Sequence, residues 1–272
     1  MTGPGRYGAM FSALARRREG AVVPFAVLGD PDQATGLALL RALADAGADA
    51  LEVGIPFSDP IADGPVIQAA VSRALAAGTG PDECWEMIAA LRVSHPSLPI
   101  GVLTYANLVL RGGLPEFYAA AARAGADSVL LADVPMDEAG PFQAAAAGAG
   151  VSFVAMAPPN APPRVLDAVA RTAQGYTYVV SRSGVTGAET ALRHGAAGVI
   201  AALRQRGAAP PLLGFGISEP RHVREALAMG AAGAICGSAV VARLRALGDD
   251  RSRALRAIAA FVGELKEASR TR

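Results

Sequence analysis

Eight short β-branched runs alternate with alanine-rich helical stretches along nearly the whole chain. Ala-Gly-Ala or a near variant announces several of the runs, at Ala46-Gly47-Ala48, Ala124-Gly125-Ala126 and Gly230-Ala231-Ala232. This pattern predicts an α/β fold of repeated βα units around a parallel sheet. Eight units in 272 residues suit a (β/α)8 TIM barrel with extra helices better than a doubly wound sheet, and no linker divides residues 1–272 into more than one domain.

The approximate strand cores are 22–28, 50–55, 99–105, 128–133, 151–156, 176–181, 211–215 and 233–236. Helices are predicted over 33–46, 81–94, 114–124, 137–147, 162–172, 192–206, 219–229 and 251–269, with extra ones over 7–18 and 66–77. Each strand in such a barrel is buried on both faces, which explains runs that are apolar throughout rather than alternating. Active sites of this fold lie at the carboxyl ends of the strands, so the strand-to-loop junctions are where chemistry is sought.

Composition narrows the field. The chain is 52% hydrophobic and 18% charged with net charge +1, which suits a large core and offers no electrostatic footprint for nucleic acid. Cys84 and Cys236 lie far apart and follow no metal or redox spacing, so a reduced, cytoplasmic protein is expected. Arg16-Arg17-Arg18 precedes an apolar run, but Glu19 and Pro24 interrupt it and no cleavage site follows, unlike a signal peptide. The uncharged run 140–163 is divided by Gly148, Gly150, Pro158, Pro159, Pro162 and Pro163, and reads as helix end, strand and loop.

Glu52 sits inside the second apolar run, where an ionised carboxylate costs several kcal/mol unless paired, solvated or functional. Asp59 and Asp63 follow just past the strand end, among Ser, Pro and Gly residues that build an ordered loop. Desolvation raises the proton affinity of a carboxylate at such a place, so Glu52 and Asp63 are an acid–base candidate pair. Taken alone, Asp63 reads as a turn aspartate before Gly64, and Glu52 either pairs with one of the arginines or does chemistry.

Glycines after the last strands, with serines opening short helices, suit a phosphate site made by backbone N–H groups and a helix N-terminus. Gly187, Gly216, Gly237 and Ser238 would converge there, although each glycine alone reads as a turn residue. All but one of the 25 basic residues are arginines, and the single lysine, Lys266, lies in the terminal helix, so no Schiff-base lysine is at hand. His95, His194 and His222 form no metal spacing, and no dinucleotide or flavin fingerprint occurs. Cofactor-free proton transfer on a phosphorylated substrate with its own electron sink remains. Tyr176 and Tyr178 share a face of strand six, as packing residues or as part of the site.

The stretch Glu52-Val53-Gly54-Ile55-Pro56-Phe57-Ser58-Asp59-Pro60-Ile61-Ala62-Asp63-Gly64-Pro65, with Tyr105-Ala106-Asn107, 181–187, 214–218 and 233–239, resembles the tryptophan synthase α subunit family, in the family's order along nearly all the chain. The resemblance implies retro-aldol cleavage of indole-3-glycerol phosphate to indole and D-glyceraldehyde 3-phosphate. It implies Glu52 as the acid at indole C3 that also assists loss of the hydroxyl proton, and Asp63 as acceptor of the indole N–H. Phe25, Leu103, Tyr178 and Phe215 match substrate-pocket positions, Gly187, Gly216, Gly237 and Ser238 the phosphate cradle, and the loop with Thr186 and Gly187 a lid. It further implies an αββα assembly in which Asp59, Pro60 and Asn107 face a β subunit, with no cofactor in this chain and pyridoxal phosphate in the partner. A standalone lyase and a catalytically silent allosteric barrel are the rival readings. Departures are Val27 for a common threonine, Cys236 for a smaller residue, and a shortened connection after Gly187.

Overall fold

Strand and helix alternate throughout the described residues, 5–181, 189–246 and 250–270, of a computed structural model. The strands are β1 (Ala21–Val27), β2 (Leu51–Gly54), β3 (Ile100–Thr104), β4 (Ser128–Leu131), β5 (Ser152–Ala157), β6 (Thr177–Val180), β7 (Pro211–Gly214) and β8 (Gly233–Cys236). All pair in parallel with their sequence neighbours, and β8 returns to β1 through Ala21↔Gly233, Val22↔Ala234, Val23↔Ile235 and Pro24↔Cys236. The sheet is thus a closed eight-stranded barrel, as the sequence predicts.

The helices are α1 (Arg6–Arg17), α2 (Gln33–Asp45), α3 (Pro65–Ala76), α4 (Pro81–Ser94), α5 (Ala106–Arg111), α6 (Leu114–Ala124), α7 (Gly140–Ala149), α8 (Pro163–Thr172), α9 (Glu189–Gln205), α10 (Pro220–Ala228), α11 (Ser238–Ala246) and α12 (Arg251–Ala268). Their starts follow local chemistry. Asp32 accepts the Thr35 N–H ahead of α2, Asp250 accepts that of Arg253 in α12, and Glu83 reaches back to the Gly80 N–H at 2.8 Å in α4. Prolines open α3 and α4, where the missing N–H costs nothing.

Three details depart from expectation. The helix expected from residue 137 divides into a 3₁₀ turn (Met136–Glu138) and α7, because Pro141 can only enter a first turn. Helix α9 begins at Glu189, three residues early. The short α5 was not anticipated; Asp133 at the end of β4 accepts the Ala106 N–H at its start, 2.8 Å away.

Alternation sorts each strand's side chains between two cores. Outward residues such as Val22, Val53, Val102, Val129, Val179 and Ala234 pack beneath the helices. Inward residues such as Val23, Phe25, Leu130, Val154, Tyr178, Leu212 and Ile235 fill the barrel, and Tyr7 and Leu14 of α1 join them from below. At the amino ends, aspartates just ahead of one strand hold the start of the previous one. Asp49 accepts the Val22 N–H and two bonds from Lys266, which also meets Glu19 at 2.9 Å, while Asp127 accepts the Ile100 N–H and a bond from Arg92. The lone lysine is therefore a structural tie at the amino face, far from the carboxyl ends.

Closure depends on one small residue. A Cβ on Gly233 would stand 2.3 Å from the Ala21 carbonyl oxygen and 2.7 Å from its nitrogen, both backbone atoms that cannot swing aside. Gly233→Ala is expected to cost about 3 kcal/mol by forcing β1 and β8 apart; a lowered urea midpoint with unchanged slope checks it.

Candidate active site

Strand β2 carries Glu52 into the barrel interior, where it is 2% exposed. Its neighbours in the ladder are Phe25 on β1 and Gly101 on β3. Gly101 has no side chain, and a Cβ there would meet the oxygens of Ser128 and Tyr7 at 2.9 Å and of Tyr176 at 3.5 Å. The glycine opens room for a cluster of hydroxyls around the carboxylate. Tyr176 donates its O–H to Glu52 Oε1 at 2.7 Å, and Tyr7 and Ser128 share a 2.9 Å hydrogen bond. The partner of Glu52 is thus a phenol, not one of the many arginines.

That environment sets its proton affinity. Desolvation by burial lifts the Glu52 carboxyl to about 7, the Tyr176 hydrogen bond opposes the rise, and the charge of Asp63 adds to it. Asp63, half-buried in the loop after β2, accepts the Tyr105 O–H at 2.9 Å and is raised by desolvation, with Tyr105 lowering it. The Tyr105 oxygen also accepts the Ala62 N–H, so one phenol fixes both the loop and its carboxylate. The two carboxyl groups differ in burial, and they lie near enough for the charge of Asp63 to raise Glu52, which can hold a proton near neutrality.

The aromatic walls rest on glycines. The Phe25 ring lies where a Gly54 Cβ would be, 2.8 Å from its Cζ, and the Tyr178 ring covers Gly214, whose Cβ would fall 2.2 Å from Cζ. Phe25 and Tyr178 are buried in the barrel lining and Leu103 is partly buried against it. Phe215 follows β7 at a left-handed φ of 65°, remains 44% exposed and meets Tyr178 edge to face with centroids 6.1 Å apart. These side chains gather apolar surface toward the carboxyl ends of the strands.

Gly216 (φ 76°) follows Phe215, while Gly237 and Ser238 join β8 to α11 at the same end of the barrel. The Gly237 carbonyl accepts the Val240 and Val241 N–H groups, so the first turn of α11 is aimed at the mouth. Thr186 and Gly187 lie outside the described residues, as do the neighbouring positions of the expected lid.

Asp59 and Asn107 are exposed and Pro60 half-buried, on the loop after β2 and on α5, which the Tyr105 to Ala62 bond joins. Ile61 and Leu110 beside them are 80% and 54% exposed. Val27 is buried toward the barrel top, and Cys236 donates to the Ile217 carbonyl. Asp30, at the first junction, is tied to Arg73 of α3 by two bonds of 2.7 and 2.9 Å, a structural ion pair.

Sequence reasoning missed the roles of Tyr176 and Tyr105. A buried glutamate without a basic neighbour needs a neutral donor, and Tyr176, two residues from Tyr178 on one face, was the available signal. Among the described residues no group of three or more His, Cys, Asp or Glu side chains could hold a metal, and no helix is long and apolar enough to cross a membrane.

The family model described as tryptophan synthase alpha chain matches residues 11–270. The tryptophan synthase alpha chain of Shewanella amazonensis is 52% identical over 264 residues, covering 97% of this chain and 99% of its own. That of Escherichia coli is 50% identical over 266 residues, covering 98% and 99%. Tryptophan synthase subunit alpha from Legionella pneumophila superposes with a TM-score of 0.88 at 28% identity, over 97% of this chain and 98% of that one. The family model spans nearly the whole chain and the relatives are about half identical over nearly their full length, so the chain belongs to the tryptophan synthase alpha chain family.

Proposed function

We propose that the chain cleaves indole-3-glycerol phosphate to indole and D-glyceraldehyde 3-phosphate, as the α subunit of an αββα tryptophan synthase that passes indole on for L-tryptophan synthesis. The observation that carries the reading is a buried Glu52 whose proton affinity is raised to about 7 by desolvation and further by the charge of Asp63. Protonated Glu52 delivers its proton to indole C3, which turns the ring into an electron sink. Asp63 accepts the indole N–H and stabilises the positive charge on the ring. Glu52, now anionic, takes the proton of the side-chain hydroxyl. The bond from C3 to the side chain breaks, its electrons restore the aromatic ring, and the new carbonyl is that of glyceraldehyde 3-phosphate. Glu52 ends protonated, so the cycle balances without a cofactor in this chain.

Phe25, Leu103, Tyr178 and Phe215 hold the indole, and Gly216, Gly237 and Ser238 the phosphate, with Thr186 and Gly187 assigned to the covering loop. Asp59, Pro60 and Asn107 face the pyridoxal-phosphate β subunit, and exposed Ile61 and Leu110, on the same loop and on α5, favour a covered surface over a standalone enzyme. The presence of both Glu52 and Asp63 speaks against a silent barrel. One chain-wide domain and a cytoplasmic location belong to the same reading.

Three outcomes test it. Purified chain should release indole, and faster with an added β subunit; Glu52→Gln should lose about a thousandfold and Asp63→Asn about a hundredfold, with near-native circular dichroism. Near wild-type turnover in the glutamine variant overturns the mechanism. The Tyr176 bond favours the Glu52 carboxylate, so Tyr176→Phe should move the alkaline limb of the kcat/KM profile to higher pH. Folding raises Glu52 from 4.5 to about 7, so between those values the folded chain keeps a proton that the unfolded chain has lost, and stability falls as pH rises through this window. Glu52→Gln should therefore exceed wild type in Tm at about pH 8 and match it more closely at about pH 4, by calorimetry.

A further inference from the structure

The segment after β7 is held at three of its residues, 215, 217 and 218, by side chains from three other places. Ser181, at the end of β6, donates to the Phe215 carbonyl at 2.6 Å. Cys236, the last residue of β8, donates its S–H to the Ile217 carbonyl at 3.0 Å. His222, in α10, accepts the Ser218 N–H on Nδ1 at 3.2 Å, with the Ser218 hydroxyl 3.4 Å from the same nitrogen. Between these points lie Phe215 and Gly216, both at left-handed φ, 65° and 76°. A phenylalanine there is strained and persists only where its surroundings over-determine the backbone.

We propose that Cys236 and His222 are positioning residues that, with Ser181, clamp residues 215–218 so that the Gly216 end of the anion cradle is pre-formed for a phosphate group. The inference rests on the reading of Gly216, Gly237 and Ser238 as that cradle. It gives a use to the cysteine that departs from the family pattern: what the site requires of position 236 is a buried donor. Burial pushes the Cys236 thiol up to about 12, so it keeps the proton it donates. His222 accepts through Nδ1 and so carries its ring proton on Nε2. A backbone already fixed spares the ordering cost that a free loop pays when an anion binds.

The test is calorimetric titration with glycerol 3-phosphate, and with indole as control, of wild type, Cys236→Ala, Cys236→Ser, His222→Leu and His222→Asn. Serine retains a donor, and asparagine places an acceptor oxygen where Nδ1 stands. Alanine and leucine variants should bind glycerol 3-phosphate about fivefold more weakly, the loss expected for one hydrogen bond. Serine and asparagine should recover most of it, indole affinity should hold, and the kinetic loss should fall on KM for indole-3-glycerol phosphate rather than on kcat. His222 is half-buried on its helix, so its variants test the clamp independently of how Cys236→Ala folds. Equal glycerol 3-phosphate affinity in every variant, or equal loss in the rescuing and disabling pairs, overturns the clamp. A wild type that binds indole but not glycerol 3-phosphate overturns the cradle reading itself.

Discussion

The hydrogen bond from Tyr176 to Glu52 is the interaction around which the barrel interior is arranged. A carboxylate surrounded by apolar side chains tends to keep its proton, and a single neutral donor moderates that tendency without abolishing it. An arginine in the same place would hold the group ionised and remove it from acid catalysis. Burial therefore gives Glu52 a raised proton affinity that a salt bridge would forbid and the phenol only tempers, and the pairing needs the empty space at Gly101 in which the hydroxyls gather.

The same device recurs at the mouth. Phe25 lies over Gly54 and Tyr178 over Gly214, each a ring on one strand laid against a glycine on an adjoining strand. Close packing allows a large side chain inside a narrow barrel only where its neighbour is absent. The pattern leaves the rings standing as walls rather than filling the entrance.

Charge is distributed by the same logic. Lys266, Arg92, Asp49 and Asp127 are joined at the amino ends, where their bonds align strand starts, and Asp30 with Arg73 ties the first loop to α3. Most of the strong ionic contacts thus serve the frame. Glu52 in the barrel interior and Asp63 in the loop after β2 are held instead by the neutral hydroxyls of Tyr176 and Tyr105.

By itself the sequence determined the barrel, because period, glycine-marked helix ends and apolar runs are local properties that each βα unit displays alone. It also singled out Glu52, since a carboxylate in an apolar run is anomalous wherever the run is placed. Lacking a lysine near a strand end, it excluded Schiff-base chemistry. Only the tertiary structure decided what those groups meet. Tyr176 is 124 residues from Glu52, and Tyr105 is 42 from Asp63. Barrel register, not sequence spacing, brings such pairs together, and it likewise joins Ser181, Cys236 and His222 around one loop. Proton affinity depends on that company, so the candidate carboxylate could be singled out from the chain while its proton affinity waited on the fold.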